Sequence, residues 1–148
     1  MEIKGKLIEA MKAAAKEKVK GRLSIIRFAL AAVQNKEKEL RRELSEQEAI
    51  QVLSGLIKKA KESVEQFKTG QRSDLVEKEE KEIAVLQAFL PQQLTTAELE
   101  AEVSQAVDEA GASTPQDMGK VMKILMPRIA GRADGKVVNE LVRKRLVG

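Results

Sequence analysis

From Ile3 onward the apolar residues of this chain return every three or four positions, the spacing of one face of an α-helix. Ile3, Leu7, Ile8, Met11 and Ala15 set the first stripe and predict a helix to about Val19. Lys20-Gly21 breaks that pattern, and a second helix is expected from about Arg22. Its seam is Leu23, Ile26, Leu30 and Val33, with Ala29, Ala31 and Ala32 small enough to admit a neighbouring helix closely. From Asn35 to Glu43 the pattern turns charged, so the helix is expected to fray or project into solvent there.

Local stop and start signals divide the rest. Ser45-Glu46-Gln47-Glu48 reads as a capping box: the Ser45 hydroxyl takes an orphan amide, and the Glu48 carboxylate reaches back to the Ser45 amide. The third helix then runs to about Lys68, burying Ile50, Leu53, Ile57, Val64 and Phe67, and Thr69-Gly70 is its expected stop. Asp74 with Glu77 is expected to cap a fourth helix with Leu75, Ile83, Leu86 and Leu90 on one face.

Pro91 cannot continue that helix, which places the domain boundary at residue 90. Thr95 with Glu98 starts a fifth helix that buries Leu99, Val103 and Val107 and stops at Gly111. Thr114-Pro115-Gln116-Asp117 reads as a cap, a proline in the first turn and an acid beside the helix N-terminus. Helix six carries Met118, Val121, Met122 and Leu125, and Pro127 is expected to end it. After a turn between Gly131 and Gly135, a last helix carries Val138, Leu141, Val142 and Leu146. The expectation is an all-α protein: an N-terminal four-helix bundle over residues 1–90 and a small C-terminal three-helix domain over residues 91–148.

Composition agrees with that class. Phe28, Phe67 and Phe89 are the whole aromatic set, too few for an ordinary strand-rich core. The absence of Cys and His removes thiol nucleophiles, disulfides, imidazole acid–base chemistry and the usual zinc ligands. No run of about 18 apolar residues is present to span a bilayer. Glu2, Glu9 and Glu17 interrupt an otherwise basic N-terminus, which does not read as a targeting segment. Cytoplasmic location, with no membrane partner, no cofactor and no metal, is the expectation.

The net charge of +4 is modest, but its distribution is uneven. Residues 91–117 hold six acids and no Lys or Arg, whereas residues 118–148 hold eight Lys and Arg against two acids. Such segregation is a footprint of binding something anionic, although helices also segregate charge for solubility. The stretch 119–136 concentrates Gly, Pro and basic residues. Gly131 and Gly135 bracket Arg132 and Asp134, where a turn can hold cations in fixed positions against phosphate. Lys120, Lys123, Arg128, Arg132 and Lys136 are the candidate phosphate contacts, with Arg143, Lys144 and Arg145 adding to the field. Gly131, Asp134 and Gly135 would shape the turn, Asp134 as the cap of the last helix.

Competing chemistry fares worse. Glu79-Glu80 and the Glu37/Glu39 pair lie on charged helix faces and read as solvated surface. Ser24, Ser54, Ser63 and Ser104 have no His to serve as base and no nucleophile-elbow context. Gly131 to Lys136 lacks the first half of a phosphate loop and the hydroxyl after the Lys. Met118, Met122 and Met126 recur every four positions, which reads as core packing before it reads as a partner groove. With so few aromatics to stack bases, nucleic acid would be read by backbone and shape.

Four segments together resemble the YqeY family. They are Arg22-Leu23-Ser24-Ile25-Ile26-Arg27, Leu86-x-x-Phe89-Leu90-Pro91-x-Gln93-Leu94, Asp117-Met118-Gly119-Lys120-Val121-Met122, and Gly131-Arg132-Ala133-Asp134-Gly135-Lys136-Val137-Val138-Asn139-x-Leu141-Val142. The resemblance covers the whole chain in order. It implies an all-α fold and kinship with the tail of the B subunit of glutamyl/aspartyl-tRNA amidotransferase, a domain that grips tRNA with its last helices and makes no bonds. Asp134 stands where that tail often has Asn. The implied function is a non-catalytic module for tRNA or other structured RNA. The alternative is an adaptor that docks on a synthetase or amidotransferase complex, and a weaker one is a glutamine-using amidotransferase subunit.

Overall fold

The chain is described here by a computed structural model covering residues 2–18 and 20–147. The apolar stripes become seven α-helices with no strand among the described residues: α1 (Ile3–Lys16), α2 (Lys20–Leu40), α3 (Glu46–Thr69), α4 (Ser73–Gln87), α5 (Thr96–Ala110), α6 (Met118–Ile129) and α7 (Gly135–Val147). A single 3-10 turn, Pro115–Asp117, leads into α6. The class is all-α. The chain divides into two compact units, Met1–Leu90 and Pro91–Gly148.

In the first unit α1 pairs mainly with α2, and α3 with α4, while α2 also touches α3 and α4. The core is drawn from Ile3 and Leu7 of α1, Ile26, Ala29 and Val33 of α2, Leu53 and Ile57 of α3, and Leu86 of α4. Ala14 faces inward where Ala15 was expected to. Of the three alanines expected to admit a neighbour to α2, only Ala29 is fully buried. Phe67 is half-buried and Phe28 lies outside, 55% exposed.

Helix ends depart from the sequence reading in instructive ways. The expected end of the first helix at Val19 lies outside the described residues, but α1 already stops at Lys16. Lys18 takes the left-handed conformation (φ 59°), and Gly21 is inside α2. Residues 35–40 do not fray. Lys4 of α1 pairs with Glu37 at 2.7 Å, and the second Glu37 oxygen accepts the Leu44 amide at 3.0 Å. The α1 N-terminus is likewise tied down, because the Ile3 amide donates to the Glu46 carboxylate of α3 at 3.2 Å.

The Ser45–Glu48 capping box forms with both reciprocal bonds, at 3.2 and 2.9 Å. At the other end of α3, Gly70 has an ordinary φ of −81°, and Gln71 takes the left-handed position (φ 56°). That choice lets the Arg72 amide close back on the Phe67 carbonyl at 2.9 Å, the closure of a Schellman turn. Asp74 does not cap α4: Arg72 occupies the cap position, and Asp74 sits in the first turn, held by the Arg72 guanidinium at 3.1 Å. Favourable interaction with the helix N-terminus does not need the cap position itself.

The second unit is built on a core shared by α5 (Leu99, Val103, Ala106, Val107), α6 (Val121, Leu125, Ile129) and α7 (Val138, Val142, Leu146). Full burial of one such side chain contributes about 1.5–3 kcal/mol, so these ten residues fix the three helices against one another. Met118 and Met122 pack against this core as expected, whereas Met126 is 40% exposed. Thr95 and Glu98 form the second reciprocal capping box, and Gly111 ends α5 at φ 63°. Pro127 does not end α6, which continues to Ile129. A proline in the last turn forfeits one amide bond near the end of the ladder, and burial of Ile129 holds that turn in place.

Candidate nucleic-acid interface

The turn between α6 and α7 is fastened by bonds that local sequence does not reveal. Ala130 leaves the helix in an extended conformation, and Gly131 takes φ 73°, which a side-chain-bearing residue adopts only with strain. Three bonds then join this turn to the segment after Pro91. The Leu94 amide donates to the Arg132 carbonyl at 2.8 Å, Gln93 Nε2 to the Gly131 carbonyl at 2.7 Å, and Arg132 Nε to the Gln92 carbonyl at 3.0 Å. Gln92, Gln93 and Leu94 are residues whose part in the turn was not foreseen. Their only signal was that Gln93 and Leu94 fall in a segment of family resemblance.

Asp134 caps α7 as expected: its carboxylate accepts the Lys136 amide at 2.9 Å, and its carbonyl accepts the Val138 amide at 3.0 Å. Gly135 is the first residue of α7, without positive φ and with open space where a Cβ would stand. The bend therefore rests on Gly131, and Gly135 is simply helical.

The expected cations fall into two groups. Arg128 reaches the carboxylate of Glu109 on α5, and that hydrogen-bonded pairing holds the Glu109 carboxyl below its usual range and raises Arg128. Arg132 is half-buried and engaged with Gln92. Lys120 stands 3.8 Å from Asp117, a loose pair. Asp117 itself is committed to the amides of Ser113 and Thr114, which with nearby Lys120 lower its carboxyl from the ordinary value.

The second group is Lys123 on α6 and Lys136, Arg143, Lys144 and Arg145 on α7, all exposed. Lys136 and Arg143, seven residues apart, lie on one exposed stripe of α7, beside the buried face of Val138, Val142 and Leu146. Glu140 is the one acid on that helix. The outer surface of α7 is accordingly cationic, and its cations are presented from a helix whose inner face is locked into the core.

No group of three His, Cys, Asp or Glu among the described residues is placed to hold a metal ion. No helix among them is long and apolar enough to cross a membrane.

Comparison with known protein families matches residues 4–146 to the family described as Yqey-like protein. The chain belongs to the YqeY family. The match spans both units and includes all four segments on which the resemblance was drawn. A relative named altered inheritance of mitochondria protein 41, mitochondrial, from Pyrenophora tritici-repentis is 31% identical over 92% of this chain and 74% of its own length. The protein of the same name from Lachancea thermotolerans is 37% identical over 64% of this chain, which spans about half (52%) of that relative. An uncharacterized protein from Schizosaccharomyces pombe is 33% identical over 61% of this chain and 70% of its own.

Proposed function

We propose that this YqeY-family chain is a non-catalytic accessory module that binds tRNA or a similarly structured RNA through its second unit. The observation that carries the reading is the outer surface of α7, where Lys136, Arg143, Lys144 and Arg145 are exposed against the single acid Glu140. Lys123 of α6 adds one more exposed cation, and Lys120 a loosely paired one. Cations spread along a helix suit the regularly spaced phosphates of a folded RNA better than any small anion.

Within this reading the roles divide. Lys123, Lys136, Arg143 and Lys144 contact phosphate. Gly131, Arg132 and Asp134 hold the α6–α7 turn, and Arg128 is held by Glu109. The kinship with the amidotransferase tail that the resemblance implies makes tRNA the first RNA to try. The proposed place of action is the cytoplasm, and cell fractionation is its check, because two relatives carry mitochondria in their names.

Titration of labelled total tRNA with wild type and with a Lys123/Lys136/Arg143 triple Ala variant tests the reading. Binding at low salt that weakens in the variant supports it, and no binding by wild type at low salt overturns it. A second reading, an adaptor for a synthetase or amidotransferase complex, draws on Met126 and Val137, exposed at 40% and 45% in the same unit. It requires a protein complex that survives nuclease and is lost on Met126→Ser or Val137→Ser.

A further inference from the structure

The first unit carries a second cationic stretch that the tail does not explain. Residues 18–36 hold five Lys and Arg and no Asp or Glu. Most of that stretch is the N-terminal four-fifths of α2, whose inner face is buried through Ile26, Ala29, Leu30 and Val33. The opposite face is a run of small and polar residues, Gly21, Ser24, Ala31 and Asn35, all exposed. One large side chain interrupts it. Phe28 is 55% exposed there, although the chain has only three aromatics and buries Phe89. Arg27, the preceding residue, flanks that face about 100° round the helix from Phe28, whereas Arg22 lies six residues earlier on the azimuth of the buried Ile26, Ala29 and Val33. Both are exposed and form no ion pair among the described residues.

An exposed phenyl ring flanked by an unopposed guanidinium group fits a nucleotide in both its parts. The ring offers a stacking surface for a base, and the flanking Arg27 meets an adjoining phosphate. An acidic protein helix would satisfy the charge but not the apolar surface. A stable protein contact needs roughly 800 Å² from each partner with several anchors, and this face offers one. We propose, on the RNA reading above, that the outer face of α2 is a second RNA contact, in which Phe28 stacks on an unpaired base and the flanking Arg27 holds an adjoining phosphate. Small neighbours at Ser24 and Ala31 leave the ring accessible for flat approach.

The chain has no Trp or Tyr, so Phe28→Trp places a single indole reporter at the site. The expected result is quenching of that indole by total tRNA and by a short oligouridylate, and no quenching by poly-glutamate. Phe28→Ala, an exposed change whose retained fold is checked by circular dichroism, should weaken tRNA binding about 5- to 100-fold with an unchanged salt slope. Arg27→Ala should lower that slope by about 0.7. Should wild type bind tRNA while Phe28→Ala binds equally well and the indole stays unquenched, this face is overturned and the tail reading stands. Should the oligouridylate quench the indole while the tail variants bind tRNA like wild type, the tail reading falls and this contact stands. Quenching by poly-glutamate but not by RNA overturns the proposal in favour of an acidic protein partner.

Discussion

Arg132 donates from Nε to the carbonyl oxygen of Gln92 at 3.0 Å, across 40 residues of sequence. The pair holds the entry to α7 against the segment that follows Pro91, and the Leu94 amide reinforces it by donating to the Arg132 carbonyl. In the reading proposed above, Arg132 is a positioning residue. Arg132→Ala should lower the stability of the second unit by about 1 kcal/mol, the usual net value of such a bond. Thermal unfolding checks this, and RNA binding below the transition should keep its salt slope.

The two glycines of the turn should respond in opposite directions. Gly131→Ala forces a Cβ into φ 73° and should cost about 1–2 kcal/mol. Gly135→Ala falls at an open helical position and should stabilise by about 0.4–1 kcal/mol by restricting the unfolded chain. Denaturant midpoints of the two variants separate the roles; equal losses would contradict them.

What was legible in the sequence was what lies within a few residues. Ser45 with Glu48 and Thr95 with Glu98 are complete four-residue devices, and both form as read. The stripes of α5, α6 and α7 foretold their core because one helix face is decided by spacing alone. Gly70 stops α3 as read, but the left-handed residue is decided by where the last carbonyls must be closed, and that position fell on Gln71. The same limit hid the fate of the arginines. Nothing near Arg128 announces Glu109, and nothing near Arg132 announces Gln92. Composition said that aromatics were too few for stacking but could not say that Phe28 would be left outside.

Gln71 offers a gain in stability. It holds φ 56° without the freedom of glycine, so Gln71→Gly should relieve strain and raise stability by about 1 kcal/mol. Chemical denaturation of the first unit checks it, and Gly70→Ala serves as the contrast, since Gly70 has no such φ.

Acid should act on the first unit partly through Glu48. The Arg42 guanidinium grips its carboxylate at 2.7 and 2.8 Å, and with the Ser45 amide lowers the Glu48 pKa from 4.5 to about 2. Because the folded value lies below the unfolded one, the stabilisation is whole above about pH 4.5 and is lost as pH falls toward about 2. Glu48→Gln should therefore melt below wild type at neutral pH, and the two melting curves should converge in acid. Parallel curves across that range would remove Glu48 from the account.

The central claim is that α7 presents its cations to RNA phosphates, and the salt dependence of binding tests it most directly. Anisotropy of labelled tRNA would be followed over a series of salt concentrations for wild type, Lys136→Ala and Arg143→Ala. The account predicts binding whose log K falls linearly with log salt, and a slope shallower by about 0.7–0.9 for each contact removed. Slopes identical to wild type in both variants, or no binding by wild type at the lowest salt, would contradict it.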